Sequence, residues 1–596
     1  MQILKINEGN KMSNNILFNL SLTKKDTRYI LIILFVSILV SFMKIRLYNN
    51  IGFNSDVPIY LSNSLYYAGI NYHQIFSPGW IYSSPTISFF TAILFKLGFV
   101  NPNSLYVVTA IFEIFGSLGL YIFLKNRFSP ILSLLGTIFY ISSFIFLFTA
   151  SSGMLDNPAV AISIWILIFA SVSIDKDPKY FIPTSFLLVI GIFTRPTVGF
   201  VLPAILLYYF VKHDVIILFD DLISDRITFK EKIITYIHSD EFKYIFISLI
   251  LVILTFGIII LIHQHIFNIH FDILDRSISS SGGFKEIAGK DIGYFPRYDF
   301  YINNLFKNIA HSKIEFLGIK FSEFVVCIMI IGLILKFIEI IKNNFSKPLN
   351  DYSYKTHHLK SFLIMIMVIF MIISIIGFNF NHFITNISLM VVFIIGLSLI
   401  KQYDFDSKNT SFFILNFSWM ILYLVFISYI SMKVNRYFLP VMVPICYFLL
   451  LAYESIINLL NRLFDNNNLI KSIIKLLPVI LILVLILSTC LTISYLDENG
   501  ENRRYSKIYY DTMNTTDYLI KLDDNYMDKN ITVDHRDRFY NWFLQRNTSQ
   551  IDNNYEPVSL FDRSNSEYIF LNESVDFKNY TQIYHHGDSY LYQHIN

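Results

Sequence analysis

Long apolar runs separated by short polar segments form the main pattern of the chain. A helix that spans a membrane needs about 20 mostly apolar residues, and about thirteen runs reach that length. These runs start near residues 29, 103, 130, 157, 180, 197, 243, 318, 361, 383, 409, 436 and 471. The pattern predicts an all-α polytopic membrane domain over residues 29–496, after a short segment at residues 1–28.

One apolar stretch, Ser83–Phe99, is long enough to span but contains a proline and a lysine. If it spanned, Lys125 and Arg127 would fall outside the membrane. If it lies at the interface as an amphipathic helix, both residues fall inside with the other basic loops, as the positive-inside rule requires. We therefore predict an interfacial helix here.

This topology places the N-terminal segment in the cytoplasm and two long loops outside. The first outer loop covers residues 46–101 and the second covers residues 263–317. The polar tail at residues 497–596 also lies outside. We expect a multi-pass protein of the plasma membrane whose working surface is extracytoplasmic.

The tail is rich in Asp, Asn and Tyr and carries signals of both helix and strand. Residues 513–522 are helix-like, residues 531–534 and 568–571 are strand-like, and Gly587-Asp588 forms a turn between Tyr-rich segments. The sequence predicts a small C-terminal α/β domain.

Composition narrows the class of protein further. Of 596 residues, 54% are hydrophobic and 15% are charged, which is too apolar for a soluble protein of this size. The net charge of +3 is too small to suggest a nucleic-acid partner. The three cysteines lie in apolar runs without CxxC spacing, so neither disulfides nor zinc are indicated.

Two aspartates lie where apolar runs begin on the outer side. Asp56 follows the first span in Asn54-Ser55-Asp56-Val57-Pro58, and Asp156 lies on a short turn in Leu155-Asp156-Asn157-Pro158. Each could be a helix N-cap, since Asp before a helix is a favoured cap. Each could instead face a shared site, where a carboxylate at the membrane surface can act as a general base.

Three outer arginines accompany them. Arg195 interrupts an apolar stretch before Pro196, Arg436 begins another helix, and Arg297 lies in the second outer loop. A cation at that depth needs an anion unless its side chain snorkels to the interface. Three arginines against two aspartates would suit a phosphate ligand.

Other chemistry has little support in the sequence. His263, His265 and His270 do not match structural zinc spacings, so a divalent metal is possible but not supported. No P-loop, GxGxxG, GxSxG or HExxH occurs in a plausible context. Nucleotide binding, serine hydrolysis and zinc proteolysis are therefore not indicated.

Five passages resemble the C-type (GT-C) membrane glycosyltransferases, in the branch of the protein O-mannosyltransferases and the 4-amino-arabinose lipid A transferase. They are the outer-loop Asp56, the segment Tyr82–Thr86 leading into Lys96-Leu97-Gly98, the acidic turn Leu155–Pro158, the stretch Gly191–Pro203 and the helix start Asn435–Pro440. Their order along the chain and the predicted topology both fit that family.

The resemblance implies a polyprenyl-phosphate sugar donor and an acceptor hydroxyl of a protein, lipid or glycan outside the membrane. It implies inverting transfer with Asp56 as general base and Asp156 in the same site. The implied phosphate-binding residues are Arg195, Arg297, Arg436 and Lys96, and the implied sugar or acceptor contacts are Tyr60, Tyr82 and Tyr437.

Two departures from the family and two alternatives remain. The family often has an acidic pair at the first site, whereas Asp56 stands alone, and Arg195 replaces a lysine. A transporter or flippase for a lipid-linked or anionic substrate is the main alternative, although the sequence shows no internal repeat. A catalytically inactive scaffold with the same fold is the other.

Overall fold

The structure is a computed structural model, and it describes most residues of the chain. These are 23–52, 56–70, 85–212, 234, 236–267, 300–310, 315–316, 319–345, 365–373, 388, 391–392, 395–396, 410–429, 434–464, 467–499, 502–551 and 559–595.

Helices make up almost all of the membrane domain. In the first half they are α1 (Lys24–Ile51), α2 (Val57–Ala68), α3 (Pro85–Lys96), α4 (Pro102–Lys125), α5 (Pro130–Ser142), α6 (Phe144–Thr149), α7 (Asp156–Asp175), α8 (Phe181–Thr194), α9 (Val201–Lys212) and α10 (Asp240–His265). After them come α11 (Phe300–Asn303), α12 (Leu305–Ile309), the strands β1 (Glu315–Phe316) and β2 (Ile319–Lys320), α13 (Phe321–Phe345), α14 (Thr410–Tyr429), α15 (Leu439–Leu463) and α16 (Asn468–Asn499).

Six of the described helices are long and apolar enough to cross a membrane. Their spans are Lys24–Asn49, Pro102–Lys125, Asp156–Asp175, Asp240–His265, Asn435–Leu463 and Asn468–Glu498. Helices lie at all predicted starts except those near residues 361 and 383, which fall mostly outside the described residues. The predicted polytopic helical fold is confirmed.

The helices α2 and α3 lie where the sequence predicts interfacial structure. Each has 12 residues, which at about 1.5 Å per residue is too short for a hydrocarbon core of about 30 Å. The two helices pack against each other and bury residues of both. Their length agrees with a position along the interface.

The first and last spans extend beyond the predicted boundaries. The helix α1 begins at Lys24 because Thr23 and Asp26 form a capping box, in which the Thr23 N–H donates to Asp26 Oδ2 at 2.7 Å. It continues to Ile51, past the predicted loop start at residue 46. At the other end, α16 runs through the boundary predicted at residue 497.

The helices α4 and α7 form a close contact at the centre of the domain. Gly116 of α4 lies against Ala161 of α7, and the Trp165 indole N–H donates to the Phe115 carbonyl at 2.9 Å. Small residues allow two backbones to approach closely within a membrane. This contact holds the N-terminal end of α7, and with it Asp156, in a fixed position.

The C-terminal residues form the predicted α/β domain. It contains the helices α17 (Asn502–Leu522), α18 (Asp537–Leu544) and α19 (Ser559–Asp562) and the strands β3 (Ile531–Val533), β4 (Ser549–Gln550), β5 (Tyr568–Leu571), β6 (Tyr580–His586) and β7 (Ser589–His594). The sheet order is β4-β3-β5-β7-β6, with β3 parallel to both its neighbours and β7 antiparallel to both of its own. Gly587, at a φ of 55°, makes the predicted turn between β6 and β7.

We expect Gly116→Ala to destabilise the membrane domain. A Cβ at this position would lie 2.7 Å from the Ala161 Cβ and 2.9 Å from its Cα, so the two helices must move apart. Overpacking of this kind costs about 1–3 kcal/mol. Thermal unfolding in detergent should detect it, and Gly257→Ala is the matched control because a Cβ there meets no atom within 4 Å. Equal stability of the two variants would contradict the close packing of α4 and α7.

Candidate functional site

Asp56 directly precedes α2 but does not cap it. No capping hydrogen bond from its side chain is present, and its backbone is helical rather than extended. Its carboxylate instead lies between two guanidinium groups, accepting from Arg436 Nη2 at 3.1 Å and from Arg538 Nη1 at 3.0 Å. The alternative of a simple N-cap is therefore not what the structure shows.

Asp156 is the first residue of α7, and its side chain also points to arginines rather than to the helix N-terminus. Its Oδ1 accepts from Arg195 Nη1, and its Oδ2 lies 4.0 Å from Arg436 Nε. The side chain is 4% exposed, compared with 23% for Asp56. Of the two carboxylates, Asp56 is the one that a substrate can reach more easily.

The two arginines come from breaks between helices. Arg195 has an extended backbone between α8 and the 3₁₀ turn Pro196–Phe200, because the following proline disfavours a helical conformation. Arg436 lies in the 3₁₀ turn Asn435–Phe438 that leads into α15. Both guanidinium groups are thus placed in the site by breaks between helices.

Tyr437 lies beneath both guanidinium groups. The Cζ atom of Arg195 is 4.8 Å from the centre of its ring, and that of Arg436 is 5.8 Å away. An aromatic face attracts cations and restricts their orientation. Tyr437, predicted as a sugar or acceptor contact, therefore supports the arginines in this structure.

The remaining predicted residues differ in their placement. Tyr60 of α2 lies beside the cluster, where burial raises the pKa of its hydroxyl and the charge of Asp56 raises it further. Lys96 is exposed at the end of α3 and is not paired with either aspartate. Tyr82 and Arg297 lie outside the described residues.

Of the histidines considered for a metal, His263 has other contacts and His265 is exposed. His263 Nε2 lies 3.1 Å from the Tyr67 hydroxyl, and its Nδ1 lies 2.7 Å from the Ile259 carbonyl. His270 lies outside the described residues. Within the described part of the chain, no group of three or more His, Cys, Asp or Glu side chains is arranged to hold a metal.

Arg538 is a site residue that the sequence analysis missed. It lies on α18 of the C-terminal domain, 482 positions from Asp56 in the chain. Arginine is ordinary in a polar tail, so its sequence context carried no signal. Only the docking of the C-terminal domain onto α2 brings it to the site.

Glu113 and Lys44 were also missed, although each interrupts an apolar span, which is itself a functional signal. Glu113 of α4 accepts from the Ser151 backbone N–H at 2.5 Å and from Asn157 Nδ2 at 2.9 Å. Ser151 has a φ of 48°, in the left-handed region that non-glycine residues rarely adopt. Glu113 therefore fixes a strained turn whose end carries Asp156.

Lys44 of α1 is fully buried, with Glu113 nearby. Its Nζ atom has no hydrogen-bond partner among the described residues and lies 4.7 Å from the centre of the Tyr48 ring. When the amine is charged, a nearby anion and the aromatic face stabilise it. Glu113 and Lys44 are therefore two neighbouring ionisable groups buried within the membrane domain.

The fold and the site define a polytopic membrane protein with carboxylates and arginines gathered at helix ends. Residues 82–219, which include Asp156 and Arg195, match the family model described as dolichyl-phosphate-mannose-protein mannosyltransferase. The chain thus resembles the GT-C membrane glycosyltransferases of the mannosyltransferase branch, as the five sequence passages predict. No curated protein matches the chain.

Among solved structures, the chain is similar to ArnT from Cupriavidus metallidurans in two states. With the crystal structure of ArnT bound to undecaprenyl phosphate, the sequence identity is 10%, the TM-score is 0.48, and the match covers 95% of this chain and 98% of that one. With the apo state of ArnT, the identity and coverage are the same and the TM-score is 0.47.

We expect Glu113→Gln to destabilise the protein and Lys44→Met to restore part of the loss when combined with it. The single change removes the acidic group beside the buried Lys44 amine, whereas the double change removes both ionisable groups, and residues that interact show non-additive effects of about 0.5–3 kcal/mol. The measurement is the free energy of unfolding of both single variants and the double variant. Additive effects would show that the two charges do not depend on each other.

Proposed function

We propose that the protein transfers a sugar from a polyprenyl-phosphate donor to an acceptor hydroxyl on the extracytoplasmic face of the membrane. The observation that carries the proposal is the cluster in which Asp56 and Asp156 share Arg436, with Arg195 on the second carboxylate. Part of this cluster lies in the segment that matches the mannosyltransferase family. Such a site can hold a phosphate and a general base side by side.

The donor phosphate would bind the guanidinium groups of Arg195 and Arg436. Guanidinium binds phosphate through two parallel N–H bonds, and negative charge that develops on a leaving phosphate is stabilised there. Since Arg436 also donates to Asp56, the phosphate competes with this carboxylate for the same donors. Donor binding would therefore weaken the bond from Arg436 to Asp56 and make this carboxylate a stronger base.

In the proposed reaction, Asp56 takes the proton of the acceptor hydroxyl. The acceptor oxygen forms a bond to the anomeric carbon from the face opposite the phosphate, while the bond from that carbon to the phosphate oxygen breaks. The polyprenyl phosphate leaves with the electron pair, and the configuration inverts. Its charge is stabilised by the arginines, so no general acid is required.

Asp156 has a different role in this proposal. It is buried and paired with Arg195, so it orients the phosphate-binding arginines rather than the acceptor. The acceptor is a protein, a lipid or a glycan, and its hydroxyl would meet Asp56, the more exposed of the two carboxylates.

We expect Asp56→Asn to abolish transfer while the protein remains folded and inserted. Asparagine keeps the shape of the side chain but cannot accept the proton, and loss of a general base lowers rates by about 10²–10⁴-fold. The assay follows label from radiolabelled polyprenyl-phosphate sugars in membranes that contain wild type or variant. Asp524→Asn, at an exposed position of the C-terminal domain, is the matched control.

Full activity of Asp56→Asn would exclude Asp56 as the base. If wild type transfers no label and the label crosses to the opposite leaflet while still attached to its lipid, the protein is a flippase and not a transferase. We expect transfer by wild type and by Asp524→Asn and no transfer by Asp56→Asn.

A further inference from the structure

The C-terminal domain docks onto the interfacial helices through buried apolar side chains. Phe539 and Trp542 of α18 belong to one hydrophobic cluster with Val57 and Leu61 of α2 and Ile87 of α3. Burying large aromatic side chains of this kind stabilises a contact by about 1.5–3 kcal/mol each. The domain is therefore held at the site and not merely tethered to the last span.

A second contact lies at the end of α1. Gly52 has a φ of 75°, and the Tyr509 ring of α17 occupies the place where a side chain at residue 52 would lie. Two elements of the C-terminal domain, α17 and α18, thus contact the segments on either side of Asp56.

Hydrogen bonds within the C-terminal domain fix the segment that carries Arg538. Its neighbour Arg536 is buried and donates to Asp534 at 2.8 Å, to the Tyr540 hydroxyl at 2.8 Å and to the Asp588 carbonyl at 3.1 Å. These bonds join the N-terminal end of α18 to the sheet. The position of the Arg538 guanidinium is therefore set by the fold of the C-terminal domain.

The charge balance of the cluster depends on Arg538. Among the described residues, the membrane domain contributes four paired side chains to this cluster, Asp56, Asp156, Arg195 and Arg436, and their formal charges cancel. Arg538 adds one positive charge to this neutral set. Because a guanidinium carries five N–H donors in a planar fork, it can contact a carboxylate and a phosphate at the same time.

We infer that the C-terminal domain supplies, through Arg538, the cation that gives this site its affinity for the anionic head group of a polyprenyl phosphate. This inference rests on the proposed function and adds a residue to it. The site is then divided between two domains. The membrane domain positions a neutral set of charges, and the docked C-terminal domain makes the set positive.

The test is the affinity of the purified full-length protein for undecaprenyl phosphate, measured by native mass spectrometry and compared with undecaprenol, which has the same chain without the phosphate. We expect Arg538→Gln to weaken binding of the phosphate by about tenfold or more and to leave undecaprenol unchanged. Arg538→Lys should restore part of the loss, because it restores charge but not the planar fork. Arg563→Gln, at an exposed arginine of the same domain, should bind like wild type.

Each further outcome has a separate meaning. If wild type does not prefer undecaprenyl phosphate to undecaprenol, the proposed function itself is wrong. If wild type has that preference and Arg538→Gln keeps it, the inference about Arg538 is overturned while the proposed function stands. A variant that weakens both ligands equally would also overturn it, since that result indicates a structural role.

Discussion

The site depends on the interaction of the Arg436 guanidinium with both carboxylates, Asp56 and Asp156. This guanidinium donates to Asp56 and lies beside Asp156, while the Tyr437 ring lies below it. Charges at a membrane surface partly removed from water are unfavourable unless they are paired. The breaks that end α8 and begin α7 and α15 are therefore positions where the chain must bring opposite charges together.

The membrane part of this cluster could be anticipated from the sequence. Asp56, Asp156, Arg195 and Arg436 each stand at the edge of an apolar run, where a charge without a partner is costly. That cost predicts that such charges meet, and the structure does bring the four together. What the sequence left open was whether each aspartate was a cap, because capping requires only local residues and pairing requires the tertiary fold.

The roles of three charged residues were not predicted from the sequence, for different physical reasons. Arg538 lies in a polar domain, where nothing local marks one arginine among others, and its role depends on how α18 docks. Glu113 and Lys44 did carry a signal, since each lies within an apolar span, but their importance becomes visible only through the strained Ser151 turn that Glu113 holds. The starts of the described membrane helices and the turn at Gly587-Asp588, which depend on local patterns, lie close to their predicted positions, whereas the helix predicted at residues 513–522 begins earlier, at Asn502.

Division of the site between two domains has a thermodynamic consequence. If Arg538 contacts the donor phosphate only when the C-terminal domain is docked, donor binding and docking favour each other by the same free energy. The apolar contacts of Phe539 and Trp542 already hold the domain in place, so the docked state exists before the donor arrives. The conformational entropy lost in ordering the site is then part of folding, so it does not reduce the affinity for the donor.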